Sequence, residues 1–214
     1  MNYNEFKNSV QNWPLIFSRD LMLRWGKAQL VRNQLKRWQD KKLLIKLRRG
    51  IFLLNPNDRK VNPSRSYIAN QLYSPSYVSL EYALNFYHLI PERVSDLTSI
   101  STRKTRRFEN ELGSFLYQHI KPKVFRGFTA LKDEAGLFFF MAEAEKAIVD
   151  LIYLNLEKFS GSDDEKVFAE FYRFQNVETL KTKKVMQFAG LFDNRKLTRV
   201  CRSLCNFIKK EGGR

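Results

Sequence analysis

FSRDLMLRWG (Phe17–Gly26), KAQLVRNQLKRWQDKKLL (Lys27–Leu44) and IKLRRGIFLL (Ile45–Leu54) follow one another without a gap, and their order decides how the chain is read. The first piece reads as a short helix ending at Gly26, the second as a longer helix, the third as a two-stranded hairpin turning at Arg49-Gly50. Helix, turn, helix and basic hairpin in that order predict a winged helix-turn-helix, and with it a DNA-binding surface. In the longer helix Ala28, Val31, Leu35 and Trp38 are spaced 3, 4 and 3 apart, which makes one buried stripe at helical period. The opposite face carries Asn33, flanked by Gln29, Lys36 and Arg37, with Arg32 at the border. These side chains can read base edges, because Arg and Lys pair with guanine and Gln and Asn pair bidentately with adenine. Asp40 is the one acid of this helix and sits at its far end. In the hairpin, Leu43, Ile45 and Leu47 alternate with Leu44, Lys46 and Arg48, so Lys46, Arg48 and Arg49 are expected to reach a phosphate backbone or a minor groove. Gly50 supplies the positive φ that a tight hairpin needs. The plain alternative, charges that are merely solvated on a helix surface, does not account for the complete order.

Charge points the same way. The 214 residues carry a net charge of +16, which implies a polyanionic partner. Residues 1–60 hold a surplus of 10 Lys and Arg over Asp and Glu; the much longer remainder holds a surplus of 6. A hydrophobic share of 43% with 18 Phe is enough for a substantial core. Two cysteines make no disulfide framework, so a reducing compartment is expected. The start, MNYNEFKNSVQN, lacks the apolar run of a secretory signal. Leu137–Ala142, the longest apolar stretch, is too short to cross a bilayer. The expectation is a cytoplasmic protein with no membrane partner.

Along the chain, Asn4–Gln11 predicts a first helix with Phe6 and Val10 on one side, stopped by Trp13-Pro14. Ser18 is expected to cap the next helix, with Leu21, Met22 and Trp25 facing the buried stripe. The turn-rich run from Asn55 to Pro63 suggests a boundary near residue 60, giving domains 1–60 and 61–214. Beyond it, helices are expected over Ser64–Tyr73, from Ser79, and over Glu143–Leu156, Asp163–Arg173, Val177–Phe188 and Arg195–Lys209. Strands are expected over Leu97–Thr102, Ser114–Ile120, Val124–Ala130 and Gly136–Met141. The predicted class is α+β: a winged helix-turn-helix, then a small β-sheet flanked by helices, with a helical tail.

Several of these pieces resemble, in order, the AbiEi-type antitoxins of type IV toxin–antitoxin systems, which are also described as winged-helix regulators. LRRGIFLL (Leu47–Leu54) is similar to the family's wing. IANQLYSPSYVSLEYALNFYHLIPE (Ile68–Glu92) is the most distinctive match. STRKTRRF (Ser101–Phe108), FLYQHI (Phe115–Ile120), FRGF (Phe125–Phe128) and AEAEKAIVDLIYL (Ala142–Leu154) follow in the family's order. The resemblance covers roughly residues 15–156. It implies a protein of phage defence that represses its own operon through promoter DNA, probed as inverted repeats, and counters a nucleotidyltransferase-like toxin. It places DNA binding on Gln29, Arg32, Asn33, Lys36, Arg37, Lys46, Arg48 and Arg49, and no particular residue carries the antitoxin role.

Other constellations are weighed against dull readings. Arg103, Lys104, Arg106 and Arg107 form the densest basic cluster outside the first domain. They are candidates for further phosphate or partner contacts, against a solvated loop. Glu143, Glu145, Lys146 and Asp150 have no nucleophile or phosphate loop beside them, so no enzyme is expected. Lys146 and Asp150, four apart, suggest a helix-surface ion pair, with Glu145 or Lys146 pinning the helix to the sheet. His88, His119, Cys201 and Cys205 lack zinc-ligand spacing, and the cysteines suit a helix core. No metal or cofactor is expected. The rivals are a winged-helix regulator whose second domain senses a small ligand in an apolar pocket, a nucleic-acid-modifying enzyme, and an RNA binder.

Overall fold

The structure is a computed structural model and describes residues 2–26, 28–161 and 163–213. It is an α+β fold with a small antiparallel sheet and a mixed six-stranded sheet. The chain opens with α1 (Tyr3–Val10), β1 (Ile16–Phe17), α2 (Ser18–Trp25), α3 (Ala28–Asp40) and the hairpin β2 (Leu44–Arg48) and β3 (Ile51–Leu54). Asn2 and Glu5 close a capping box at the start of α1. Ser18 is the first residue of α2 and not its side-chain cap; its N–H is taken by the Gly50 carbonyl at 2.9 Å. Strand β1 pairs with β3, giving the order β1-β3-β2.

The helices of this part close over an aromatic core. Phe6 stacks on Trp38 with ring centres 4.2 Å apart, and Trp25 meets Phe6 edge-on. Val31, Leu35 and Trp38 of α3 are buried as their spacing predicts, whereas Ala28, at the start of the helix, is exposed. The hairpin has two buried faces. Leu44, Phe52 and Leu54 join the aromatic core, while Ile45, Leu47, Ile51 and Leu53 join the larger core built by the rest of the chain. The expected boundary near residue 60 therefore runs between stretches of sequence whose hydrophobic cores share one sheet.

The larger part runs through α4 (Arg65–Leu72), β4 (Ser76–Val78), α5 (Leu80–Phe86), β5 (Leu97–Ser101), β6 (Arg106–Asn110), β7 (Gly113–His119), β8 (Phe128–Lys132), β9 (Phe138–Ala142) and α6 (Ala144–Leu154). Its six-stranded sheet has the order β6-β7-β5-β4-β9-β8, with β5–β7 and β4–β9 parallel. Tyr77 pairs with Ile100, and Tyr117 with Ser99, so the two tyrosines sit one register apart and project from opposite faces. Tyr117 donates to the Ala69 carbonyl of α4 at 2.7 Å; Tyr77 donates to Asp150 of α6 at 2.9 Å. Helices α4 and α6 thus cover the sheet from its two sides. A C-terminal helical layer follows: the short α7 (Asp164–Lys166), continuing as a π turn over Val167–Phe171, then α8 (Thr182–Gly190) and α9 (Arg195–Gly212). Asp164, buried, holds Arg199 of α9 at 2.6 Å.

Four expectations are corrected. The strand expected over Val124–Ala130 begins only at Phe128, because Pro122–Val124 forms a 3-10 turn and Gly127 has φ +81°. The helix expected over Asp163–Arg173 changes hydrogen-bond period after Lys166 and stops before Arg173, whose φ is +52°. The helix expected over Val177–Phe188 is broken at the extended Leu180. Lys146 and Asp150 are not on a helix surface. Both are fully buried, and Lys146 donates to Asp150 and to the Tyr77 hydroxyl, while Ser79 also donates to Asp150. Ser79 thereby gives up the capping bond of α5. No helix among the described residues is long and apolar enough to cross a membrane.

Candidate nucleic-acid interface

The apolar stripe of α3 fixes what the opposite side can present. With Val31, Leu35 and Trp38 inward, Gln29, Arg32, Asn33, Lys36 and Arg37 all lie exposed. They do not form one uniform face. Arg32 and Lys36 turn toward the hairpin and line a groove of about 830 Å³ with Lys46, Arg49, Arg19 and Ser18. Asn33 and Arg37 line a smaller depression on the other flank, beside Leu30 and Trp38. Gln29 donates its amide to Asn33 at 2.9 Å, so these two amides are held to one another.

The groove exists because three elements are locked together at its floor. Strand β1 pairs with β3, which brings the start of α2 against the hairpin tip. At the tip Gly50 has φ +83°, and a side chain there would press on the Ser18 hydroxyl at 3.2 Å. The sequence reading missed β1, and with it Ser18 and Arg19. A two-residue strand gives no alternation to detect, so only the pairing itself exposes their role.

Arg48 departs from the expectation of a solvent-facing hairpin. The register of β2 on β3 shifts between Lys46 and Arg48: Lys46 is opposite Phe52, and Arg48 is opposite Ile51. The extra residue re-aims the strand, as a bulge does. Lys46 stays exposed, whereas Arg48 shares the side of Ile51 and turns toward the edge of the large sheet. Its guanidinium carbon lies 5.8 Å from the centre of the Phe108 ring, and its Nε is buried with no partner. Burial and the nearby charges of Arg103 and Arg106 lower its pKa. Asn110 ties the same junction by donating to the Leu47 carbonyl at 3.1 Å.

The second basic cluster is brought up against the hairpin by this packing. Arg106 and Arg107 lie on strand β6, and Arg103 and Lys104 on the turn before it; all four are exposed. Arg106 lies 5.7 Å from the Phe108 ring that Arg48 also meets. Arg103 stacks on Tyr73 at 4.3 Å, and Arg107 pairs with Glu109 at 2.6 Å. These contacts make it a held surface and not a loose loop.

Elsewhere the chemistry is structural. Among the described residues no three His, Cys, Asp or Glu side chains are grouped so as to hold a metal ion. Cys201 and Cys205 are buried on α9, and burial pushes the Cys201 thiol up to about 12. The Tyr77 hydroxyl is pushed well above its usual range by burial and by Asp150. Glu145 accepts from the Lys181 N–H at 3.1 Å, while Lys146 is the residue that ties α6 to the sheet. No protein-family model matches the chain, and no curated protein matches it either.

Proposed function

We propose that residues 1–60 act as a winged helix-turn-helix on promoter DNA, and that the chain is a repressor and antitoxin of a type IV toxin–antitoxin system. The observation that carries the DNA reading is the convergence of Arg32, Lys36, Lys46 and Arg49 on one groove from a helix and a hairpin that share a core. The order α1-β1-α2-α3-β2-β3 supports it. Helix α3, about 20 Å long at about 1.5 Å per residue, enters a major groove about 12 Å wide. Arg32, Asn33 and Lys36 meet base edges there, and Lys46 and Arg49 take the flanking phosphates. On an inverted repeat, two copies occupy half-sites about 34 Å apart. Repression is occlusion of the promoter, with no chemical step.

The antitoxin half rests on the sequence resemblance alone. In that reading, residues 61–214 counter a nucleotidyltransferase-like toxin encoded beside this chain.

Fluorescence anisotropy on the duplex upstream of the chain's own gene, with a scrambled duplex of equal length as control, tests the DNA half. Tighter binding to the upstream duplex, lost in Arg32→Ala/Lys36→Ala, is the expected result. Equal binding to both duplexes at modest ionic strength overturns it. Growth rescue by the full-length chain when the neighbouring gene is expressed tests the antitoxin half; absence of rescue removes it.

A further inference from the structure

The large sheet opens between β4 and β9. These strands pair only through Val78 and Met141, and the Phe140 N–H beside that pair is taken by the Asn70 side-chain oxygen of α4. A cleft of about 270 Å³ lies at the opening, walled by Phe125, Phe128, Phe138 and Phe140, with Asn70 and Ser76 at its base. Phe138 and Phe140 remain 60% and 46% exposed, whereas Asn70 and Ser76 are 6% and 5% exposed.

The base of the cleft is polar and unsatisfied. Because the Asn70 oxygen must accept from Phe140, its Nδ2 is the free end of the amide and a donor. That Nδ2 and the Ser76 hydroxyl are both buried without a partner. A buried polar atom left unpaired is costly, so an orphaned pair beneath an aromatic wall points to an occupant that bonds to both. The rim is cationic: Lys132 Nζ lies 4.9 Å from the Phe138 ring centre, and Arg103 donates to the Ser74 carbonyl, on the cleft lining, at 3.3 Å.

We infer that this cleft binds a nucleobase, stacked on the phenylalanines with its edge acceptors on Asn70 Nδ2 and the Ser76 hydroxyl, and its phosphate drawn to Lys132 and Arg103. An apolar side chain from a protein partner fits the walls but leaves both polar atoms dry. A base satisfies them while stacking, and any base offers a flat face. The volume lies just under the roughly 300 Å³ at which drug-sized sites begin, which suits one ring system. The site is separate from the groove of α3 and the hairpin, and does not depend on it.

Calorimetric titration of the full-length protein tests this with AMP, UMP, a short single-stranded oligonucleotide, ribose 5-phosphate and N-acetyltryptophanamide. AMP or UMP should bind, and ribose 5-phosphate, which has no base, should not. Tighter binding of the oligonucleotide identifies a strand as the source; equal or weaker binding identifies a free nucleotide. Phe138→Ala, at an exposed position, and Phe140→Ala should each weaken binding about tenfold, the scale of one stacked base. Asn70→Asp keeps the acceptor for Phe140 but removes the donor, and should abolish binding while the protein stays folded by circular dichroism. Arg32→Ala/Lys36→Ala should leave mononucleotide binding unchanged. The inference is overturned if no nucleobase probe binds, if the two phenylalanine variants bind at full affinity, or if N-acetyltryptophanamide binds and the nucleotides do not.

Discussion

The Arg48 guanidinium lies 5.8 Å from the centre of the Phe108 ring, so one arginine of the hairpin is spent on the junction with the large sheet. Neighbouring Lys46 and Arg49 remain on the groove. Arg48→Ala is expected to destabilise the protein by about 1 kcal/mol, a typical size for a cation–π contact with partial burial. It should weaken DNA binding less than Lys46→Ala or Arg49→Ala. Thermal melts and duplex titrations of the three variants check this. A larger DNA defect in Arg48→Ala than in the other two would return Arg48 to the DNA surface.

Arg106 and Arg107 sit exposed on β6, next to that junction. If the duplex crosses from the groove onto this strand, Arg106→Ala/Arg107→Ala lowers the slope of log K against log salt by about 0.9 for each phosphate released. An unchanged slope would confine the DNA to α2, α3 and the hairpin.

Lys146 and Asp150 carry opposite charges inside the protein with every side chain around them closed. Removing one partner strands the other, so Lys146→Met is expected to cost about 3–5 kcal/mol. Lys146→Met/Asp150→Leu should recover part of that loss, with the Tyr77 and Ser79 hydroxyls still short of an acceptor. Denaturant titrations measure both; a double variant no better than the single one contradicts the account.

Asp58 gathers Tyr3, Asn55 and Lys7 around its carboxylate, at 2.7, 2.7 and 3.3 Å. The Tyr3 hydroxyl, foremost among these, holds it below the ordinary 3.8 despite some burial. A depressed carboxyl stabilises the fold above that ordinary value and ceases to as pH falls through its folded value. Asp58→Asn should therefore lose stability at neutral pH, by about 1 kcal/mol, and show a shallower decline in melting temperature below pH 3.8. An equally steep acid limb in the variant would assign the acid sensitivity to other groups, such as Asp133, which three N–H groups also hold low against burial.

The first fifty-four residues were legible because their signals are periodic. Val31, Leu35 and Trp38 recur at helical spacing, and the hairpin alternates around Arg49-Gly50. What stayed hidden had no period to show. Ser76–Val78 is too short to alternate, and Arg106–Asn110 is an edge strand with Phe108 as its sole apolar residue. The bulge that turns Arg48 arises from cross-strand register, which the sequence of one strand does not contain. Lys146 and Asp150 were misplaced for a related reason. Spacing four apart puts two residues on the same side of a helix, but α6 is walled in by the sheet on one side and by α5 and α8 on others, so that side is interior. The clustering of Arg32, Lys36, Lys46 and Arg49 was foreseeable as a list, while their separation from Asn33 and Arg37 required the packing angle of α3.

The two-faced burial of the hairpin bears on how this chain can be taken apart. A nick or an engineered stop at residue 60 severs the polypeptide where few bonds cross, yet it tears Ile45, Leu47, Ile51 and Leu53 away from the neighbours that cover them. The downstream piece would carry a greasy scar, prone to self-association and chaperone capture. Dissecting experiments are better served by point variants in the intact chain than by halves.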